Sequence, residues 1–334
     1  MLSFFDNNKP FLILPLFLLV LILHLRLFFD GISLAHTDVQ APIAQSLVRV
    51  FDLSSGMPVW LVFIISSVLH FLAALVFNQF FNDFKFIDRQ SHLPAYMYIL
   101  VSCYFTDFLQ LHPMLFANIL CLLSLNQLFL AYNAKQAFKA IYNGGFLMAL
   151  AALFYFPFLM LIPVLIIGLF VFRGFVWREW TVLVLGILTP FYLLLAYFYL
   201  SGQFVSRFGM QLSPKVKTLG QMFEQMNWLD FTQSAILIII SIIALFVIQS
   251  NYFNSQIKIR KYFTVFYWLL AFCVIAALVE FPPDLKQFMI LTLPLSFAFS
   301  YLIMSLENKR WANLLNIILL LIIFSGQYFG IIFN

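Results

Sequence analysis

Apolar runs and short polar breaks alternate from one end of the chain to the other. Eleven runs approach the length of about 20 residues that a helix needs to cross a bilayer. They cover approximately residues 10–29, 58–78, 93–109, 113–132, 143–156, 158–173, 179–200, 231–249, 262–280, 287–306 and 311–332. Strands of alternating polarity, the mark of a membrane β-barrel, are missing from the pattern. The fifth and sixth runs are short and meet at FYFPF. Pro157 there cannot continue a helix ladder freely, so a tight turn and a broken helix both fit.

Composition makes the solvent lipid. Apolar residues make up 64% of the 334, Phe alone occurs 44 times, and the mean hydropathy is +1.00. Left in water, so much apolar surface would drive association. The expected fold class is all-α, a polytopic transmembrane helical bundle of about eleven spans. The first run is read as a retained span. It is longer than a signal-peptide core, and FFDG follows it without a small-residue cleavage pattern.

Charge is sparse and is read as topology. The net charge is +5, but the basic residues are scattered over the breaks between spans, so no nucleic-acid partner is implied. With the N-terminus inside, twelve of the eighteen Lys and Arg fall on the inner side and six on the outer, as the positive-inside rule favours. Cys103, Cys121 and Cys273 lie in apolar runs. They read as small buried hydrophobes with no disulfide or zinc spacing, so no metal site is expected. A single integral membrane domain over 1–334 is expected, with a division into 1–230 and 231–334 as the alternative.

Two long breaks fall on the outer side, residues 30–57 and 201–230. In the first, APIAQSLVRVFDL places Ile43, Leu47, Val50 and Phe51 at helical spacing, the pattern of a short interfacial helix. Asp30, His36 and Asp38 precede it. Asp107 and His112 fall in the short outer turn between the third and fourth runs, and Glu280, Asp284 and Lys286 lie after the ninth. Arg207, Lys215 and Lys217 belong to the second long loop. A carboxylate at the rim of an apolar cavity has its pKa raised by desolvation or lowered by a nearby Arg, and either state suits acid–base work. The three basic residues suit a phosphate group or lipid headgroups.

That arrangement resembles the GT-C fold of membrane glycosyltransferases that use polyprenyl-phosphate sugars. HTDVQ is similar to the acidic loop motif after their first span. AIYNGGFLMALAALFYFPFLMLIPVLIIGLFVFR is similar to their middle spans, and PPDLKQFMILTLPLSFAFSYLI to their late Pro-containing span. The chain also looks like an uncharacterised family of multi-span proteins from Bacteroidota, through NGGFLMALAALFYFP and FRGFVWREWTVLVLGILTP. The first resemblance implies a multi-pass protein of the inner membrane with its site on the periplasmic face. It implies Asp38 as the base, Asp30 and Asp107 as supporting acids, and Arg207, Lys215 and Lys217 as phosphate contacts. His36, His112 and Lys286 would support them. The partners implied are membrane lipids, a polyprenyl-phosphate sugar and an envelope acceptor. The chain departs from the family pattern in lacking a paired acidic motif in the loop. It has Lys286 where an Arg motif stands in the late span. Any divalent cofactor therefore stays open.

Simpler readings stand beside these. Asp38 suits the N-cap of the interfacial helix. Asp30 with Gly31 suits a turn. Arg26 is expected to snorkel to the headgroups. His70 is expected to make a polar helix–helix contact, with no second titratable group in a span centre to join it. Trp177, Arg178, Glu179 and Trp180 read as an inner interfacial anchor. No nucleotide, hydrolase or zinc-protease motif occurs. A silent envelope scaffold and a lipid or small-solute transporter are the other functions the pattern allows. A transporter requires a polar path reaching both sides.

Overall fold

A computed structural model describes residue 5 and residues 9–29, 59–202, 228–279, 285–306 and 308–332. Among them the only regular structure is helical. The helices are α1 (Ile13–His24), α2 (Arg26–Phe29), α3 (Val59–Asp83), α4 (Leu93–Ser102), α5 (Pro113–Leu130) and α6 (Phe138–Phe154). They continue with α7 (Ile162–Arg173), α8 (Trp177–Leu200), α9 (Trp228–Tyr252), α10 (Ile257–Val279), α11 (Thr292–Ser305) and α12 (Lys309–Ile332). Short 3-10 segments, Phe156–Leu161 and Leu285–Leu291, lead directly into α7 and α11, and a third, Thr106–Leu109, lies between α4 and α5.

Eight described segments are long and apolar enough to cross a membrane, and Pro10–His24, Leu93–Ser102 and Phe138–Phe154 are shorter apolar helices. The apolar runs of the sequence all reappear as helix, with two informative differences. The third run, 93–109, stays α-helical only to Ser102. FYFPF is a true break: Tyr155 is extended, and the chain re-enters as a 3-10 turn with Pro157 in its first positions, where a missing N–H is harmless.

The bundle has a centre and a rim. Every residue of α4 is buried, and so are Thr292–Met304 of α11. The two helices pack on each other, and α3, α9 and α12 surround them. The Lys286–Ser305 window is 83% buried, against 17% for α8, which separates a core helix from one that faces lipid. Composition explains the sorting. The central pair carries Ala95, Ser102, Ser296, Ala298 and Ser300, small residues that let helices approach closely in a medium without a hydrophobic drive. On α8 the outward face is Leu185, Leu188, Tyr192 and Leu193.

α6 packs closely on both α5 and α8. At the α6–α8 seam Gly145 and Gly186 face the opposing backbones. A Cβ on Gly145 would lie 2.8 Å from the Leu183 carbonyl oxygen, and one on Gly186 would strike the Tyr142 carbonyl. Tyr142 Oη donates to Thr189 Oγ1 at 3.1 Å across the same seam.

Aromatic rings cluster at one end of the bundle. Phe129 and Tyr262 are 4.5 Å apart between centroids, and Phe86 and Phe297 are 4.6 Å apart. Phe80, Phe84 and Phe172 join them. Lys261 Nζ lies 5.1 Å over Tyr132 and Lys258 Nζ 5.6 Å over Tyr262, cations seated on ring faces at the rim. Beside these rings, Arg173 Nε donates to both oxygens of Glu179 at 2.9 and 2.8 Å. Its Nη1 donates to the carbonyls of Ala131 and Ala134 at 2.8 and 2.7 Å. Glu179, read from sequence as a headgroup anchor, is instead a buried partner that joins three chain segments. Trp177, beside it, is exposed as an anchor should be.

Candidate functional site

The opposite end gathers a second set of polar groups. Ser66 Oγ donates to the Leu109 carbonyl at 2.6 Å, tying the start of α3 to the 3-10 turn Thr106–Leu109. That turn packs against Leu285–Leu291. Asn118 Nδ2 donates to the Met289 carbonyl at 3.2 Å. Carbonyls that short 3-10 segments leave without an α-helical partner are tolerated at membrane depth only when protein groups satisfy them, and Ser66 and Asn118 do this here.

This packing sets the segment that carries Asp107 against the one that carries Lys286, and His112 follows the first of them in the chain. Asp107 sits in the first turn of Thr106–Leu109 and is half-buried. His112 is the N-cap of α5, its Nδ1 accepting from the Met114 N–H at 3.2 Å, with Pro113 in the first helical turn. Lys286 is the second residue of the Leu285–Leu291 segment and acts electrostatically on His112. Asp30, His36, Asp38, Arg207, Lys215 and Lys217 lie outside the described residues, as do the proposed interfacial helix, Glu280 and Asp284.

His112 cannot serve as the base in this arrangement. Its Nδ1 lone pair is taken by the Met114 N–H, so in the neutral ring the proton is on Nε2, which makes the outward nitrogen a donor. Burial first, and Lys286 second, lower its pKa from the ordinary 6.5 to about 4. The sign of the pH effect follows. Below pH 6.5 the unfolded chain takes up a proton at this site and the folded chain does not until about pH 4. Stability is therefore lost as pH falls through that window and is unaffected above it. The loss is about 1–3 kcal/mol. His112→Asn keeps a capping acceptor and removes the titration. Thermal unfolding of both proteins in detergent should show the variant gaining on wild type between pH 6.5 and 4. Parallel pH curves would contradict this.

The largest buried polar assembly was not anticipated. His24 Nε2 lies 3.3 Å from His70 Nδ1, and both rings are fully buried. Two histidines therefore meet between the first two spans, where the sequence reading gave His70 no titratable neighbour. Cys103, at the C-cap of α4, adjoins them. Its carbonyl accepts from Gln327 Nε2 at 2.9 Å. Arg26 does not snorkel. Its Nη1 donates to the carbonyls of Gly326, at 2.7 Å, and Gln327, docking the end of α12 on the first span. Tyr104 Oη donates to the Gln233 carbonyl at 2.9 Å, and Gln233 Nε2 to the Ile322 carbonyl at 3.1 Å. Gly326 makes room for that Gln233 side chain, which a Cβ there would strike. Nothing in the spacing of these residues signals the meeting, because they come from separate runs up to about 300 positions apart.

A cleft lined by Phe77, Leu122, Phe129, Phe266, Leu293 and Phe297 lies among the aromatic rings and has no polar side chain to carry chemistry. No protein-family model matches the chain, and neither a curated protein nor a solved structure matches it. The helices themselves carry the class: this is a multi-pass helical membrane protein with a polar end and an aromatic end.

Proposed function

We propose that the chain is a GT-C-like glycosyltransferase of the inner membrane that uses a polyprenyl-phosphate sugar at the periplasmic face. Asp38 takes the proton of the acceptor hydroxyl as its oxygen attacks the anomeric carbon. The bond from that carbon to the phosphate oxygen breaks, polyprenyl phosphate departs, and configuration inverts. Asp30 and Asp107 hold the acceptor. Arg207, Lys215, Lys217 and Lys286 meet the phosphate, and His112 offers its Nε2–H.

The observation that supports this reading is the packing of Thr106–Leu109, which carries Asp107, on Leu285–Leu291, which carries Lys286, with Lys286 acting electrostatically on His112. An acid, a neutral donor and a cation then share the end of the bundle from which α1–α2 and α3 lead to residues 30–57. The cleft among the aromatic rings has no polar side chain, which favours an enzyme over a transporter, since a transporter requires a polar path reaching both sides.

Asp38→Asn and Asp38→Ala test the proposal, scored for protein abundance and for envelope glycans against a deletion strain. Asn preserves a helix cap and removes a base. Normal abundance with a glycan defect matching the deletion is expected, from a rate loss of about 10²–10⁴-fold. An Asn variant with wild-type glycans would sink the assignment of Asp38.

A further inference from the structure

We infer that His24, His70 and Cys103 form a binding site for a soft monovalent metal ion, Cu(I), buried within the bundle. The site is independent of the proposed transferase chemistry. One donor atom from each residue lies within 4.8 Å of the other two, and all three side chains are buried. These are an imidazole pair and a thiol, donor types that suit soft and borderline first-row metals.

The geometry of the imidazole pair is that of two ligands on one ion. Nitrogen ligands at about 2.0–2.1 Å stand about 3.3–3.6 Å apart as the N–metal–N angle runs from tetrahedral to the trigonal value of a three-coordinate ion. His24 Nε2 and His70 Nδ1 are separated by 3.3 Å. The His24 tautomer is already set. Its Nδ1–H donates to the Val20 carbonyl at 2.9 Å, leaving the Nε2 lone pair turned to the cluster. A ring N–H held by a backbone carbonyl is the usual outer support of a metal-bound histidine.

His70 completes the case. Its Nδ1 lies 3.0 Å from the Ser66 carbonyl, so without metal the Nδ1–H is shared between that oxygen and His24 Nε2. Its Nε2 is buried and lacks a hydrogen-bond partner, although the Phe108 carbonyl stands near the ring. An ion bound at Nδ1 moves the ring proton to Nε2, toward that carbonyl. Cys103 binds as the thiolate, so one proton leaves for each ion bound. The sulfur needs to close by no more than about 1 Å to reach an N···S edge of about 3.6–3.8 Å.

Charge selects the ion. Cu(I) with one thiolate and two neutral imidazoles is electrically neutral, as a site at lipid depth favours. Zn(II) with the same ligands keeps a positive charge, prefers a fourth ligand, and has Arg26 two residues beyond His24.

The test uses the full-length chain purified in detergent. It is exposed separately to Cu(I), held reduced and buffered by a bicinchoninate competitor, and to Zn(II), then desalted and assayed for metal. One copper per chain is expected in wild type, in Cys121→Ala and in Cys273→Ala. A loss of at least tenfold in affinity is expected in Cys103→Ala and in His70→Gln. X-ray absorption at the copper edge of wild type should show one sulfur and two nitrogen neighbours, a readout that needs no variant to fold. Wild type that retains no copper would overturn the inference. So would copper held equally by Cys103→Ala, a copper shell without sulfur, or stoichiometric zinc in place of copper.

Discussion

Glu179→Ala is expected to remove most folded protein from the membrane. Glu179 is 5% exposed and takes both of its bonds from Arg173 Nε. Removing one partner of a buried ion pair leaves the other charge uncompensated, at about 3–5 kcal/mol. The Arg173 side chain retains 18% exposure, which brings the expectation down to about 2–4 kcal/mol. That is a large share of the stability of a typical domain. Arg173→Met should be at least as damaging, because it also leaves the Ala131 and Ala134 carbonyls without their donor. The double variant Arg173→Met/Glu179→Leu should recover only part of the loss, since it cures the stranded charge and leaves those two carbonyls bare. Folded yield by size exclusion and the thermal midpoint in detergent give the ranking. A Glu179→Ala protein matching wild type would mean that the pair is a surface contact.

Gly186→Leu should be the other severe change. The contact at this glycine is with the Tyr142 carbonyl and Cα, so no side-chain rotation can relieve it. The two helices must separate, and the Tyr142–Thr189 hydrogen bond goes with them. Overpacking a core commonly destabilises by about 1–3 kcal/mol, and more is expected where backbone is the obstacle. Gly186→Ala should fall in that range. Gly174→Ala is the informative contrast. It ends α7 at φ +68° and ψ −154°, a conformation kept almost wholly to glycine, with open space around it, so only backbone strain of about 1–3 kcal/mol applies. If Gly186→Leu and Gly174→Ala lower the thermal midpoint equally, the α6–α8 seam is not closely packed.

The helices were legible because lipid imposes a simple rule: apolar residues in unbroken runs. A break was legible where proline wrote it, at Pro157, and the fourth run opens at Pro113 as α5 does. The end of α4 was not, because TDFLQL keeps apolar residues while the chain leaves the helix, and only Ser66 on another span shows where its carbonyl bond goes. Arg26 misled for a related reason. A lone cation near a span end suits snorkelling, and the carbonyls of Gly326 and Gln327 that hold it belong to the far end of the chain. His70 looked solitary, since periodicity within a span says which face a residue occupies and not which neighbour it meets. For the rim, the sequence named Asp107, His112 and Lys286, and helix packing supplied their proximity.

The burial of α4 bears on how the protein is made. Its ten residues extend about 15 Å, half the hydrocarbon thickness, so it is too short to hold a transmembrane position alone. Its main central partner, α11, begins at Thr292 and is synthesised about 190 residues later. During translation the α4 segment must wait beside α3 with its polar atoms only partly matched. The assembly step that seats α11 is therefore late, and every chain truncated before residue 292 should present the membrane's quality-control proteases with an unfinished core.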